Sequence, residues 1–180
     1  MEFVTTDLPG VLRIRPKIFG DHRGDFSELY HAEKYARNGL DVPFVQDNLS
    51  RSQQGVLRGL HYQLEQPQGK LVTCLHGEIF DVAVDLRRSS PTFGQWLAVN
   101  LTGETRESLY IPPGFAHGFY VLSQTATVFY KCTSLYHPGS ERTLLWSDEA
   151  IGIRWPLHGD PQLADKDKQG VPLSAAECFA

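Results

Sequence analysis

The stretch Gly55-Val56-Leu57-Arg58-Gly59-Leu60-His61-Tyr62-Gln63 puts an arginine and a histidine inside an otherwise apolar, strand-like run. A charge in such a run asks for a partner or a ligand, because burying it alone is costly. Strict alternation sends Arg58 and His61 to opposite faces. Either Gly59 makes a bulge that re-aims one of them, or Arg58 serves a different neighbour. His61 is a candidate general base and equally a satisfied structural histidine. Lys70, after Gln68-Gly69 at the mouth of the next apolar run, is by itself an ordinary surface lysine. Beside His61 it would stabilise the oxyanion formed when a base removes a proton next to a carbonyl. Tyr130 shares its parity with Val128 and Cys132. Its plain reading is a core tyrosine whose hydroxyl reaches the rim. Its chemical reading is a general acid that protonates a carbanion from the face opposite the base. Asp167 sits in a polar tail as a solvated acid; next to His61 it would fix the imidazole tautomer and raise its basicity.

The elements that must position these groups are short strands. Sixteen glycines and 11 prolines punctuate the chain at short intervals, with runs of Val, Ile, Leu, Phe, Tyr and Thr between them, the spacing of an all-β sandwich or barrel. Strands are expected over residues 10–18, 44–50, 55–64, 70–76, 78–86, 95–100, 108–111, 118–122 and 126–133. In Ile79 to Leu86, period 2 puts Phe80, Val82, Val84 and Leu86 on one face and Ile79, Asp81, Ala83 and Asp85 on the other. The second face is half polar, as where a sheet lines solvent or a wet cavity. His76-Gly77 reads as the reversal of a hairpin. Residues 32–38 before Gly39 read as a helix with a C′ glycine, and 147–151 as a turn. From Ala164 onward the chain turns polar and reads as a solvated tail packed over the sheet. Two packed sheets of this kind fit a jelly roll, an immunoglobulin-like sandwich or a barrel.

Composition bounds the function. The 180 residues suit one domain, and 41% hydrophobic with 21% charged residues excludes wholesale disorder, collagen-like repeats and coiled coil. Acidic residues outnumber basic ones, 21 to 17, for a net charge of −4. That excludes a general nucleic-acid binder, which carries a basic excess. Residues 51–140, with seven basic against six acidic side chains, are where a small anion would be sought. Cys74, Cys132 and Cys178 make an odd set without framework spacing, which points to a reducing compartment. The chain opens without a cationic segment leading into an apolar core and has no apolar run of about 18 residues. A cytoplasmic protein that engages no membrane is expected.

Pro112-Pro113-Gly114-Phe115-Ala116-His117-Gly118 resembles the second half of the cupin signature, in which the histidine often binds metal. Here His61 is followed by Tyr62-Gln63, whereas metal-binding cupins resemble His-x-His with a nearby Glu. A mononuclear site wants three or four converging ligands, so no metal is expected.

With these motifs in one order, the chain resembles the dTDP-4-dehydrorhamnose 3,5-epimerase family, cupin-type nucleotide-sugar epimerases. The resemblance is carried by Asp21-His22-Arg23-Gly24-Asp25-Phe26, Phe44 to Ser50, Gly55 to Gln63, Gly69 to Val72, Gly77 to Asp85, Ser89 to Gly94, Ile111 to Phe119, Tyr130 to Thr133 and Trp155-Pro156-Leu157. It implies one jelly-roll barrel domain over residues 1–180, built of two antiparallel sheets with a few short helices. It also implies a dTDP-sugar ligand, no cofactor and a homodimer. Residue by residue, it implies His61 as base, Tyr130 as acid, Asp167 as the carboxylate pairing with His61, and Lys70 beside the enolate oxygen. Arg23, Glu28, Gln46, Asn48, Arg58, His117, Glu141 and Lys166 fall at substrate contacts, and Phe19 and Tyr136 at thymine-stacking positions. Asp25 departs from the family's usual apolar residue, and residues 157–163 do not align. Relatives that epimerise only C3 or only C5 share these motifs. A cupin that only binds a nucleotide sugar and a metal-dependent cupin oxygenase are the readings from other classes.

Overall fold

The computed structural model describes residues 1–180. Four short strands come first: β1 (Glu2–Thr5), β2 (Leu12–Arg15), β3 (Ile18–Asp21) and β4 (Gly24–Ser27), then helix α1 (Ala32–Arg37). The central strands are β5 (Gln46–Gln53), β6 (Leu57–Gln63), β7 (Lys70–His76), β8 (Glu78–Asp85), β9 (Trp96–Thr102), β10 (Ser108–Ile111), β11 (Phe115–Val121) and β12 (Thr125–Cys132). β13 (Glu141–Thr143) and helix α2 (Asp165–Lys168) close the series. Six strands form one sheet in the order β1-β2-β10-β7-β12-β5, and five form a second in the order β13-β6-β11-β8-β9. β3 and β4 make a separate ribbon. The ladders are antiparallel. The fold is the expected all-β jelly roll.

Alternation along the strands sorts side chains into three apolar layers. Between the sheets lie Val72, Cys74, Ile79, Ala83, Leu109, Phe115, Phe119, Val121, Ala126 and Val128. Behind the five-stranded sheet, Leu60, Tyr62, Val82, Val84 and Leu86 meet Leu144, Ile151 and Ala176 from the last third of the chain. Behind the six-stranded sheet, Ile14, Leu71 and Tyr110 are covered by Tyr35 of α1 and by Leu40. The C-terminal residues are thus more than a solvated tail: Val171 bridges to Leu144, Phe179 bridges to Arg87, and Asp167 is buried.

Two sequence expectations change. Residues 10–18 are not one strand; Pro16, which lacks an N–H and cannot serve a ladder, separates β2 from β3. His76-Gly77 does not close a hairpin, since β7 and β8 lie in different sheets. Gly77 instead turns the chain across the sandwich at φ +77°, where a Cβ would sit 2.1 Å from Thr125 O.

The turn after β8 is locked by Asp85, wholly buried at its end. Its carboxylate accepts hydrogen bonds from Arg87 N, Nε and Nη2, from Ser90 Oγ and from Thr92 Oγ1. Burial alone would push this carboxyl up, but the hydrogen bonds from Arg87, Ser90 and Thr92 outweigh it and hold it at about 2. The folded state therefore binds this proton less readily than the unfolded chain. The stabilisation is complete above pH ~4 and is lost as pH falls through about 2. Denaturation midpoints measured from pH 5 down to 2 should fall by the equivalent of roughly 2 kcal/mol from this group. Asp85→Asn should lose that part of the slope and be less stable at neutral pH.

Candidate active site

The strand β6 decides where Arg58 and His61 point. Its pairing with β11 aligns His61 with His117 and Arg58 with Phe119, so one extra residue of β6 is accommodated at Gly59-Leu60. This is the bulge, and it turns both Arg58 and His61 into one cavity. Gly59 holds φ +119°, and a Cβ on it would lie 2.5 Å from Gly118 Cα and 2.7 Å from His117 O. Only two facing glycines let the backbones approach this closely. Gly59→Ala should destabilise the protein by about 3 kcal/mol or more, combining backbone strain with overpacking against main chain. A urea titration of the variant checks this.

The cavity lies between the sheets at their polar end, in two connected parts of about 290 Å³ and about 170 Å³ that share His61, Lys70, Tyr130 and Lys166. Its floor on one side is β5, whose inward residues are Gln46, Asn48, Ser50 and Ser52 while Asp47, Leu49, Arg51 and Gln53 face out. A strand with four polar residues on its inner face can only line a wet space. β12 and β7 contribute Tyr130 and Lys70 from the same sheet; β6, β11 and β13 contribute His61, Arg58, His117 and Glu141 from the opposite one. His61 and Tyr130 therefore stand on opposite walls.

His61 Nε2 donates to Asp167 Oδ1 at 2.6 Å, and Asp167 is 1% exposed. A carboxylate only accepts, so this bond places the proton on Nε2 and leaves Nδ1 free to take another. Burial pushes the imidazole below its ordinary value; Asp167 opposes this, and the charges of Lys166 and Lys70 add to it. The resting imidazole is thus neutral near pH 7, the form a general base needs. Lys70 Nζ donates to His61 O at 3.4 Å. Tyr130 is pushed up by burial, with Cys132 adding to the rise, so its phenol keeps its proton. Arg58 Nε donates to Ser52 Oγ at 3.0 Å.

The outer rim is a chain of polar contacts. Lys166 Nζ donates to Glu141 Oε1 at 3.0 Å and Tyr136 OH to Glu141 Oε2 at 3.1 Å. Tyr136 N donates to Gln46 Oε1 at 2.8 Å, and Gln46 Nε2 to Asn48 Oδ1 at 3.0 Å. These bonds hold the Lys166 cation at the mouth beside an exposed tyrosine ring.

Eleven of the 14 residues singled out in the sequence meet here: His61, Tyr130, Asp167, Lys70, Gln46, Asn48, Arg58, His117, Glu141, Lys166 and Tyr136. Phe19, Arg23 and Glu28 do not. Phe19 and Arg23 sit on the β3–β4 ribbon around a separate hollow, with Phe19 53% and Phe26 67% exposed, and Glu28 is engaged by Lys34 at 2.6 Å. Residue 25, the departure noted above, forms an ion pair with Arg106, which also donates to Ser27 Oγ. Sequence reasoning missed Ser50, Ser52, Gln63 and Gln68 around the cavity, and Asp81 behind it. For Ser50, Ser52 and Asp81 the alternation of polar residues in β5 and β8 carried that signal. No group of three or more His, Cys, Asp or Glu side chains is arranged to hold a metal ion, and no helix is long and apolar enough to cross a membrane.

A family model described as dTDP-4-dehydrorhamnose 3,5-epimerase matches residues 5–175. An enzyme of that name from Salmonella typhimurium is 54% identical over 178 residues, covering 98% of this chain and 97% of its own. Among solved structures, the dTDP-6-deoxy-D-glucose-3,5-epimerase of Legionella pneumophila in complex with dTDP-4-keto-L-rhamnose superposes with a TM-score of 0.95 at 51% identity, covering 98% of this chain and 94% of that one. A 3′-monoepimerase from Streptomyces bikiniensis, in complex with dTDP-quinovose, matches with a TM-score of 0.90 at 35% identity, covering 96% and 88%.

Proposed function

The chain belongs to the dTDP-4-dehydrorhamnose 3,5-epimerase family, and we propose how its residues carry that isomerisation. The reaction converts dTDP-4-dehydro-6-deoxy-D-glucose to dTDP-4-dehydro-L-rhamnose in dTDP-rhamnose biosynthesis. The C4 ketone makes the hydrogens on C3 and C5 removable, because the electrons left behind delocalise onto the carbonyl oxygen as an enolate. His61 Nδ1 takes the proton from one face while Asp167 stabilises the imidazolium. The Lys70 ammonium meets the enolate oxygen. Tyr130 OH returns a proton to carbon from the opposite face, inverting it; the imidazolium then gives its proton to solvent, the phenolate takes one from solvent, and the cycle repeats at the second carbon. The observation that carries this reading is a carboxylate-held imidazole and a phenol on facing sheets around one cavity.

Arg58 and Lys166 are assigned to the diphosphate, Gln46, Asn48, Glu141 and His117 to the remaining polar contacts, and Tyr136 to thymine. Residues 1–180 act as one epimerase domain in the cytoplasm. The product configuration, read by proton NMR after incubating the keto sugar with chelator-treated protein, should be inverted at both C3 and C5. A sugar that keeps its starting configuration overturns the reading. Inversion at C3 alone would move the assignment to a single-position epimerase, a reading favoured by the likeness to the 3′-monoepimerase.

The ribbon β3–β4 supports a homodimer. It presents Phe19 opposite Phe26 and an exposed Arg23 guanidinium paired with Asp21 at 2.6 Å, around a hollow separate from its own cavity. Such a ribbon suits the mouth of a second copy's cavity, where Arg23 would meet the diphosphate, Glu28 a donor group elsewhere on the dTDP-sugar, and Phe19 the base. Mixing Arg23→Ala and His61→Ala subunits should then rebuild one intact site per mixed dimer. Turnover at low substrate should exceed the sum of the two variants; activity no greater than that sum counts against crossed sites.

A further inference from the structure

One buried carboxylate beside this cavity has no part in the steps above. Asp81 alternates into the layer between the sheets from β8, flanked by Ile79 and Ala83, and is 0% exposed. Its Oδ1 accepts a hydrogen bond from His117 Nε2 at 2.8 Å, and its Oδ2 accepts none from the protein. His117 is the register partner of His61 on the neighbouring strand, so Asp81 stands directly behind the wall that bears the base. A buried carboxylate with an unused oxygen is costly unless its field serves another charge. Lys70 lines the same cavity as His117, the residue that holds Asp81, and its ammonium donates only to His61 O, at the long distance of 3.4 Å.

The other anions near Lys70 are committed elsewhere. Glu141 is bound by Lys166 and Tyr136, and Asp167 by His61. The Cys132 thiol is pushed up by burial and so carries no charge near pH 7. Arg58 and Lys166 are cations. Asp81 alone among these anions keeps a buried carboxylate oxygen with no hydrogen-bond partner.

We propose that Asp81 is a positioning residue of the epimerisation: its carboxylate, held by His117, is the fixed counter-charge that keeps the Lys70 ammonium charged and aimed at the enolate oxygen. The inference rests on the epimerase reading. Burial lowers Lys70 from its ordinary value, and Asp81 is among the charges that oppose this. Removing that charge therefore lowers Lys70 further. Tyr130 is shifted the opposite way, so removing the Asp81 charge draws the loss of the Lys70 proton further from that of Tyr130.

Asp81→Asn is the test, because the amide keeps an oxygen for His117 and removes only the charge. The alkaline limb of kcat should move to lower pH by about 1 unit or more, with KM little changed. A limb at the wild-type pH overturns the proposal, even if the variant is less stable. A thermal-denaturation cycle covers the case in which that variant folds poorly. Lys70→Met strands the Asp81 charge, so the double variant Lys70→Met/Asp81→Asn should melt higher than Lys70→Met by about 3 °C or more. An equal or lower midpoint for the double variant overturns the proposal as well. Failure of the epimerase reading would show in the wild-type protein, as absence of turnover, and is distinct from either result.

Discussion

His61→Ala should lower turnover by roughly 10² to 10⁴-fold and remove proton exchange at C3 and C5 together. Both follow from one geometry. Both cavity imidazoles are held by buried carboxylates, His61 by Asp167 at 2.6 Å and His117 by Asp81 at 2.8 Å, and His61 is the more open of the two, with 20% of its side chain exposed against 8%. Alanine leaves Asp167 buried without its donor, and about 1–3 kcal/mol of stability should go with it. Circular dichroism at the assay temperature separates that loss from the chemical one. Exchange surviving at either carbon in a folded variant would show a second base and sink the single-base assignment.

Tyr130→Phe should act differently. The Tyr130 hydroxyl makes no hydrogen bond to the protein, and its ring packs on the layer between the sheets, so phenylalanine removes a proton donor and little else. His61 would still draw a proton from the sugar, pick up deuterium from solvent and return it to the same face. The epimerised product should form about 10²-fold more slowly or worse, while deuterium continues to enter the unepimerised sugar. Loss of exchange in step with loss of inversion would mean that Tyr130 assists abstraction and is not the opposite-face acid. Near neutral pH both variants can be compared at one condition, since burial holds His61 low and Tyr130 high.

Much of this molecule was legible because strands of a sandwich advertise their faces. β7 and β10 lie at the expected residues, 70–76 and 108–111, and the parity of Tyr130 with Val128 and Cys132 placed its side chain inward. β11 begins three residues before the expected strand, because Pro112-Pro113-Gly114 reads as a loop that overruns Phe115 to His117. The failures have a shared cause. A hairpin and a crossing between sheets use the same glycine chemistry at Gly77, and only tertiary pairing distinguishes them. Whether Gly59 bulges depends on Gly118, 59 residues away in the chain and in contact with it.

Asp167 illustrates the limit of local reading. In its own segment it is one acid among Asp165, Lys166 and Lys168, and nothing there says that it is buried. Only the docking of α2 against β6 makes it the partner of His61. Residue-level reasoning left it open, and the family resemblance singled it out. Asp81 shows the reverse: its place on a half-polar face of β8 was visible, but no motif drew attention to it. Arg23 and Phe19 belong to a ribbon that lines a separate hollow, and no local pattern in the sequence shows that separation.

The central claim is that one base and one acid, on facing sheets, serve both carbons of the sugar. It is tested most directly by incubating the wild-type protein with dTDP-4-dehydro-6-deoxy-D-glucose in deuterated water and following the sugar by NMR. The product should be inverted at C3 and C5 with deuterium at both. Deuterium at a single carbon, or inversion with the original hydrogen retained, would contradict it.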